Sequence, residues 1–294
     1  MDQPLPTQIA PAPDPSAPVD WSRVTAPAPE SPIAAFGAGW LIARTFATWG
    51  RNVLRFAPLG VVSNAPMAAG QYLLYAGMTD LARSSPLSLD RVRVMLGAFG
   101  VAALVAMALY PLMMGAISRG TVQGLRGKRV RLGDMLAAGG RAYLRLLVMG
   151  ILVSLAMIPA TLLLVFPAII LMVGWSAAVA AAVEERTGPV RSLSRSWALT
   201  RGHRWRVFAG IAVAWIAIAV AAGLFQAATL GGMMALVGTR AMAPGPAMAI
   251  PMGVYQLLVG ALNTVLYVAC AVAYHGLRAA KEGGDPETLA QVFA

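Results

Sequence analysis

The sequence is poor in the residues that enzymes and metal sites most often use. It has one cysteine, Cys270, inside an apolar run, which excludes an intrachain disulfide and a CxxC metal motif. Its two histidines, His203 and His275, lie at the edges of apolar runs. The acidic residues nearest to those runs also flank them: Asp80, Asp90, Glu184 and Glu185. Because a hydrolase needs convergent acids, histidines or a nucleophile–base pair, we expect no catalytic site, no metal and no cofactor.

Charged residues are scarce as well, at 12% against about 25% in typical soluble domains. Hydrophobic residues make up 58% of the chain, and the mean hydropathy is +0.68. Several uncharged windows are long enough to cross a bilayer as helices. The composition therefore predicts an all-α, polytopic integral membrane protein.

The apolar windows predict six transmembrane helices, at about 57–78, 92–118, 144–165, 168–183, 207–236 and 253–275. The fourth window is near the lower length limit for crossing a bilayer, so this helix either spans fully or is re-entrant. We assign 36–280 to the membrane domain. The Pro/Ala-rich segment 1–35 predicts a disordered cytoplasmic tail, and 281–294 predicts a short cytoplasmic tail.

Positive charge is distributed unevenly between the two sides of these spans. The net charge is +11, and four of the 23 Lys and Arg residues fall on one side: Arg83, Arg91, Arg93 and Arg240. Because cytoplasmic loops are enriched in Lys and Arg, this sorting predicts that both termini are cytoplasmic. The many arginines and alanines are typical of a GC-rich bacterial genome, so we expect the bacterial inner membrane. Nucleic-acid-binding motifs are absent, and we expect no nucleic-acid partner.

Basic segments precede the odd-numbered spans and predict amphipathic interfacial helices before helices 1, 3 and 5: 36–56, 119–145 and 188–208. The third segment has five arginines, two tryptophans and no acid. On a helical projection, Val190, Leu193 and Trp197 share one face, and Arg191 and Arg195 share the opposite face. An apolar face opposite a basic face is typical of a helix at the lipid–water boundary.

Residues 48–57 and 200–209 match weakly at equal offsets. The match is consistent with an internal repeat of an interfacial helix followed by a transmembrane hairpin. Convergent composition at membrane edges is the alternative.

Arginine beside tryptophan at a membrane edge is typical of binding to anionic lipid headgroups. The candidate lipid- or anion-binding residues are Arg191, Arg195, Arg201, His203, Arg204, Arg206, Arg51 and Arg141. The expected interfacial anchors are Trp49, Trp197 and Trp205. The expected partners are membrane lipids with anionic headgroups and a further membrane protein. The alternative is that the arginines of the basic segments only set the topology.

The run from Gly188-Pro189 through Arg195-Ser196-Trp197 to Leu199-Thr200-Arg201-Gly202-His203-Arg204-Trp205-Arg206 resembles a bacterial membrane-domain family. The ending at Tyr274, Leu277-Arg278 and Lys281-Glu282-Gly283 resembles it too. This family is the membrane domain associated with glycerophosphoryl diester phosphodiesterases. The resemblance implies a membrane domain that is either fused to a catalytic barrel or stands alone. Such a barrel takes about 250 residues, and no soluble stretch here approaches that length, so we do not expect phosphodiesterase activity.

The leading functional hypothesis is a non-enzymatic, lipid-interacting scaffold or accessory membrane domain. A transporter or lipid translocator is the alternative, because polar residues such as Asn64, Gln71 and Asn263 fall inside predicted spans. Hydrogen bonding between helices explains the same residues. An unrecognised membrane enzyme is a third reading, which would need a titratable cluster that the sequence does not show.

Overall fold

The computed structural model describes residues 36–83, 89–163, 165–238 and 249–282, and within these ranges it contains helices and no strand. The prediction of an all-α protein is confirmed. The helices are α1 (Ala38–Arg83), α2 (Leu89–Leu125), α3 (Leu132–Leu163), α4 (Val165–Gly174), α5 (Ala178–Glu184), α6 (Pro189–Thr200), α7 (Arg204–Gly238) and α8 (Ala249–Glu282). The predicted tails, 1–35 and 281–294, lie outside the described residues except for Lys281 and Glu282, which end α8.

Five stretches in the described part of the chain are long and apolar enough to cross a membrane: Leu89–Leu125, Leu132–Leu162, Phe166–Glu184, Arg204–Gly232 and Ala249–Glu282. They contain most of the second to sixth predicted spans, and the protein is a multi-pass membrane protein. The first predicted span, 57–78, lies within α1, which is not one of these five stretches. Polar Asn64 and Gln71 dilute its apolar character.

The helix ends gather at two opposite ends of the bundle. At one end, Arg119 of α2 bonds Glu184 of α5, and Phe36 before α1 lies against Gly276 of α8. At the other end, the start of α2 meets the last turns of α1, and the start of α8 meets the last part of α7. The loops and helix ends of the first group carry most of the described Lys and Arg residues, so we call it the basic end.

Helix α1 runs antiparallel beside α8, and the two backbones touch where both helices have glycine. A Cβ atom on Gly260 would lie 2.6 Å from the carbonyl oxygen of Gly60 and 2.7 Å from Cβ of Asn64. Small residues allow helices to approach this closely in membranes. The polar side chains nearby are bonded across the contact: Gln256 Nε2 donates to Asn64 Oδ1 at 3.4 Å.

Two of the three predicted interfacial segments are not separate helices in the structure. Residues 38–56 continue into the rest of α1, and 132–143 continue into the rest of α3, without a break. Only the third segment forms its own helix, α6. It begins with Pro189 in the first turn and is followed by Gly202 at φ +87°, a conformation that glycine adopts without strain. Both ends of α6 thus follow the local preferences of proline for a helix start and of glycine for a helix end.

Helix α6 packs through its hydroxyl side chains and Leu199, whereas the predicted apolar face is divided: Leu193 and Trp197 are partly buried and Val190 is exposed. Val190 is 69% exposed, whereas Ser192, Ser196 and Thr200 are buried. The reason is the surface that α6 meets: α4 and α5 are separated by a turn, which leaves backbone groups without helical partners. Ser196 Oγ donates to the carbonyl of Gly174 at 2.8 Å and accepts from the backbone N–H of Ala177 at 3.1 Å. The fourth predicted span is therefore a broken helix whose break is bonded to α6.

Candidate functional site

A cavity of about 710 Å³ opens at the basic end, and six arginines line it. We call it the arginine pocket. Its charged lining residues are Arg119, Arg126, Arg141, Arg145, Arg186, Arg278 and Glu184. Ala138, Ala142 and Val183 form its apolar floor. The volume is typical of a site for a small molecule or a lipid headgroup.

The helix geometry explains why these arginines converge. Arg119 and Arg278 lie in the C-terminal parts of α2 and α8, and Arg126 and Arg186 follow the ends of α2 and α5. Cations are favoured near helix C-termini. From the facing helix α3, Arg141 and Arg145 point to the same side because residues four apart share a face. Elements far apart in sequence therefore build one positive surface.

Glu184 is the one carboxylate among the lining residues. Its side chain is 3% exposed, and its Oε2 atom lies 2.7 Å from Arg119 Nη1 and 3.6 Å from Arg126 Nη1. Arg278 pairs at 2.9 Å with Glu282, which does not line the pocket and also bonds Arg195. Glu184 thus orders one wall of the pocket.

Three lining arginines, Arg141, Arg145 and Arg186, form no ion pair with a carboxylate of the described residues. Arg145 instead donates to the backbone carbonyl of Arg141 at 3.1 Å. Arg186 has φ +53° and is, within 36–83, 89–163, 165–238 and 249–282, the one non-glycine residue with positive φ. Backbone strain of this kind is found preferentially at functional sites. The pocket therefore keeps an excess of positive charge and donors for an anion.

Of the candidates predicted from sequence, only Arg141 lines the arginine pocket. Arg195 instead joins α6 to the rest of the protein: its Nε donates to Glu185 at 3.0 Å, and its Nη2 bonds Glu282. Burial alone would lower the pKa of Arg195, but the hydrogen bonds with Glu282 and Glu185 outweigh it and raise that pKa. Tyr274 also donates to Glu185, at 2.9 Å. Arg195 is thus held in a structural ion-pair network.

The candidate residues at the junction of α6 and α7 direct their side chains toward other residues of the protein. Arg204 stacks over Trp197 at 3.9 Å, and Arg206 donates to the carbonyl of Phe36 at 2.9 Å. The ring of His203 meets the ring of Phe36 edge-on at 5.7 Å. The remaining candidates are exposed: Arg51, Arg191 and Arg201.

The three predicted anchors differ in their surroundings. Trp205 is 75% exposed at the start of α7, as an interfacial anchor would be. Trp197 packs against Gly174 beneath Arg204. Trp49 is turned into the bundle, where its Nε1 donates to the buried Thr264 at 2.8 Å.

Arg119, Arg126, Arg145, Arg186 and Arg278 were not singled out from the sequence. Local signals were present, since Arg119 and Arg126 are seven residues apart and Arg141 and Arg145 are four apart, which places each pair on one helical face. The convergence of α2, α3, α5 and α8 could not be read from spacing.

A second cavity, of about 520 Å³, lies deeper in the bundle and is mostly apolar. We call it the apolar cavity. Methionines line much of it: Met67, Met107, Met114, Met149, Met157 and Met172. Its polar lining residues include Asn64 and Ser63, whereas Gln71 and Asn263 do not line it.

No protein-family model, curated protein or solved structure matches this chain.

Proposed function

We propose that this protein is a non-enzymatic membrane protein that recognises phosphate-bearing, anionic lipid headgroups in the arginine pocket. The observation that carries the proposal is the convergence of six arginines around one cavity at the basic end, where Glu184 is the one lining carboxylate. Guanidinium groups bind phosphate oxygens in bidentate fashion and stay charged at any physiological pH. A lipid-interacting scaffold or accessory role follows, because such a site retains a lipid without chemistry.

Orientation and location follow from the same charges. With the basic end at the cytoplasmic face of a bacterial inner membrane, the arginine pocket faces the leaflet surface with the negative potential. Both termini are then cytoplasmic. We infer that α1 also spans the membrane, in addition to the five apolar stretches. It runs antiparallel to the apolar helix α8, and the two helices are in contact at Gly60 and Gly260. Helix α6 then lies at the interface.

Family membership stays a prediction from the residues of 188–208 and 274–283. The structure gives these residues a role in docking α6, through Ser196 and Arg195. This docking role depends on packing within the protein, so it does not depend on which lipid or partner protein is bound.

The test compares lipid binding to the full-length protein in phosphatidylcholine nanodiscs doped with phosphatidate. Native mass spectrometry counts the phosphatidate that is retained. We expect the double variant Arg141→Ala/Arg145→Ala to weaken retention by about tenfold or more, since each arginine contributes about 1 kcal/mol toward an anionic lipid. The matched control is Arg191→Ala/Arg201→Ala, which removes two exposed arginines outside the pocket. Equal retention of phosphatidate and phosphatidylcholine, or equal losses in both double variants, would refute headgroup recognition.

A lipid translocator is the second candidate, and the apolar cavity favours it, because a moving lipid needs a path for its chains within the bundle. A scrambling assay with fluorescent phosphatidate in proteoliposomes separates the two functions. A scaffold retains the lipid in one leaflet, whereas a translocator equilibrates it between leaflets.

A further inference from the structure

The arginine pocket and the apolar cavity are stacked along the same helices. On α3, Arg141 and Arg145 line the arginine pocket, and the next residue, Leu146, begins the lining of the apolar cavity. The same order holds on α5, where Val183 lines the arginine pocket and Val179, one turn deeper, lines the apolar cavity. A single amphipathic molecule that enters from the basic end therefore meets charge first and hydrocarbon second.

We infer that the apolar cavity holds an acyl chain of the lipid whose phosphate binds in the arginine pocket. The inference rests on the function proposed above and adds the substrate class: a glycerolipid with a phosphate group and at least one full-length acyl chain. Headgroup and chain are then both recognised.

The depth of the apolar cavity matches one leaflet. Between Leu146 and Met157, helix α3 rises about 17 Å at 1.5 Å per residue. Half of a hydrocarbon core of about 30 Å is about 15 Å. A chain whose headgroup is held beside Arg145 therefore reaches the end of the cavity near the middle of the bilayer.

The apolar cavity also has an opening through which a chain can enter from the bilayer. Met107, Ile151 and Met172 line it and are 57%, 50% and 42% exposed, so they face the space that lipid tails occupy. Methionine is unbranched and adapts its shape to its neighbours. We therefore expect tolerance toward chain length and unsaturation, with the selectivity residing in the phosphate.

Gly150 offers a way to close the cavity without disturbing the backbone. It lines the apolar cavity, and a Cβ atom built on it would meet no atom within 4 Å. The substitution Gly150→Leu therefore places an isobutyl group in open space. Gly223 of α7 has equally open surroundings but does not line the cavity, so Gly223→Leu is the matched control.

The experiment uses the full-length protein in phosphatidylcholine nanodiscs with lysophosphatidate carrying a photoreactive diazirine near the end of its acyl chain. Mass spectrometry maps the crosslinks. We expect them in 106–114 and 146–157, and we expect Gly150→Leu to lower their yield about tenfold, because losing two buried methylenes suffices for that factor. Gly223→Leu keeps the yield within about twofold of the original chain.

Three further ligands distinguish binding through the phosphate from binding through the acyl chain. Inorganic phosphate and glycerol 3-phosphate carry no chain, and their binding is expected to be unchanged in Gly150→Leu. Lysophosphatidylcholine with the same diazirine chain carries a choline group on its phosphate, and its crosslinking is expected to be weaker.

An unchanged crosslink yield in Gly150→Leu, or equal yields on the lipid-facing surface of α7, would overturn the chain site and leave headgroup recognition intact. Crosslinking that is unaffected by Arg141→Ala/Arg145→Ala would instead overturn the headgroup site, and with it the assignment of both cavities to one lipid.

Discussion

The Nη1 atom of Arg119 lies 2.7 Å from Oε2 of Glu184, whose side chain is almost fully buried. Arg126 approaches the same oxygen at 3.6 Å. Burying a carboxylate is costly unless cations and hydrogen bonds compensate. Glu184 therefore depends on these two arginines and, in turn, holds them in place on one wall of the arginine pocket. The opposite wall, with Arg141 and Arg145, keeps its charge for a ligand.

Replacing Glu184 is expected to change stability and affinity in opposite directions. Glu184→Gln removes the compensating charge between Arg119 and Arg126, and we expect the free energy of unfolding to fall by about 1–3 kcal/mol. It also removes the anion that competes with phosphate, so phosphatidate binding should tighten. Thermal denaturation and native mass spectrometry measure the two effects. Glu185→Gln is the control, since Glu185 pairs with Arg195 outside the pocket; if it tightens binding equally, the competition argument is wrong.

We expect Arg186 to lower the stability of the protein and to strengthen phosphatidate binding. Glycine adopts positive φ without strain, so Arg186→Gly should raise the melting temperature or leave it unchanged, with a gain of up to about 1 kcal/mol. The loss of one guanidinium should weaken phosphatidate binding several-fold. Arg186→Lys keeps the charge and the strained backbone and separates the two effects. Unchanged affinity in Arg186→Gly would remove Arg186 from the binding site.

Arg195 is expected to matter for structure and little for lipid. Arg195→Ala breaks the bonds to Glu185 and Glu282 that join α6 to α5 and α8, so the melting temperature should fall. Phosphatidate retention should stay within about twofold of the original chain, because Arg195 does not line the arginine pocket. Retention in nanodiscs below the melting temperature checks this. A loss as large as that of Arg141→Ala/Arg145→Ala would show that α6 carries the lipid site after all.

The two hydrogen bonds of Ser196 with the turn between α4 and α5 are expected to stabilise the protein. Ser196→Ala leaves the buried carbonyl of Gly174 and the N–H of Ala177 without this partner, at a cost of about 1–3 kcal/mol. Ser194→Ala is the matched control, because Ser194 is exposed on the same helix. Thermal denaturation in detergent compares the two. Equal stability of both variants would mean that the break does not depend on α6.

The contact between α1 and α8 is expected to tolerate no side chain at Gly260. A methyl group there would press on the Gly60 carbonyl and on Asn64, so Gly260→Ala should destabilise the protein by about 1–3 kcal/mol. Gly140→Ala in α3 meets open space and should be neutral or slightly stabilising. If α1 and α8 lie apart in the membrane, the two alanine variants will denature at the same temperature.

Much of the architecture could be predicted because membranes impose a strong local rule. Without water, the backbone of a spanning segment must be hydrogen-bonded within the protein, which a helix does locally, and apolar runs of the required length are visible in the sequence. The stop at Gly202 and the start at Pro189 were predictable for the same local reason. The hydroxyl contacts of α6 were not, because they depend on the unpaired backbone of the turn between α4 and α5.

The sequence alone determined the class of the protein, its multiple apolar helices and the concentration of arginine at the predicted cytoplasmic edge. Composition and hydropathy suffice for these, since each depends on a residue and its immediate neighbours. Only the tertiary structure decided which arginines meet. Arg195, in the most basic segment, is used in ion pairs, whereas Arg119, Arg145 and Arg278 converge with Arg141. The physical reason is that a binding site is a sum of contacts between helices, and spacing along one helix does not encode the neighbour it will face.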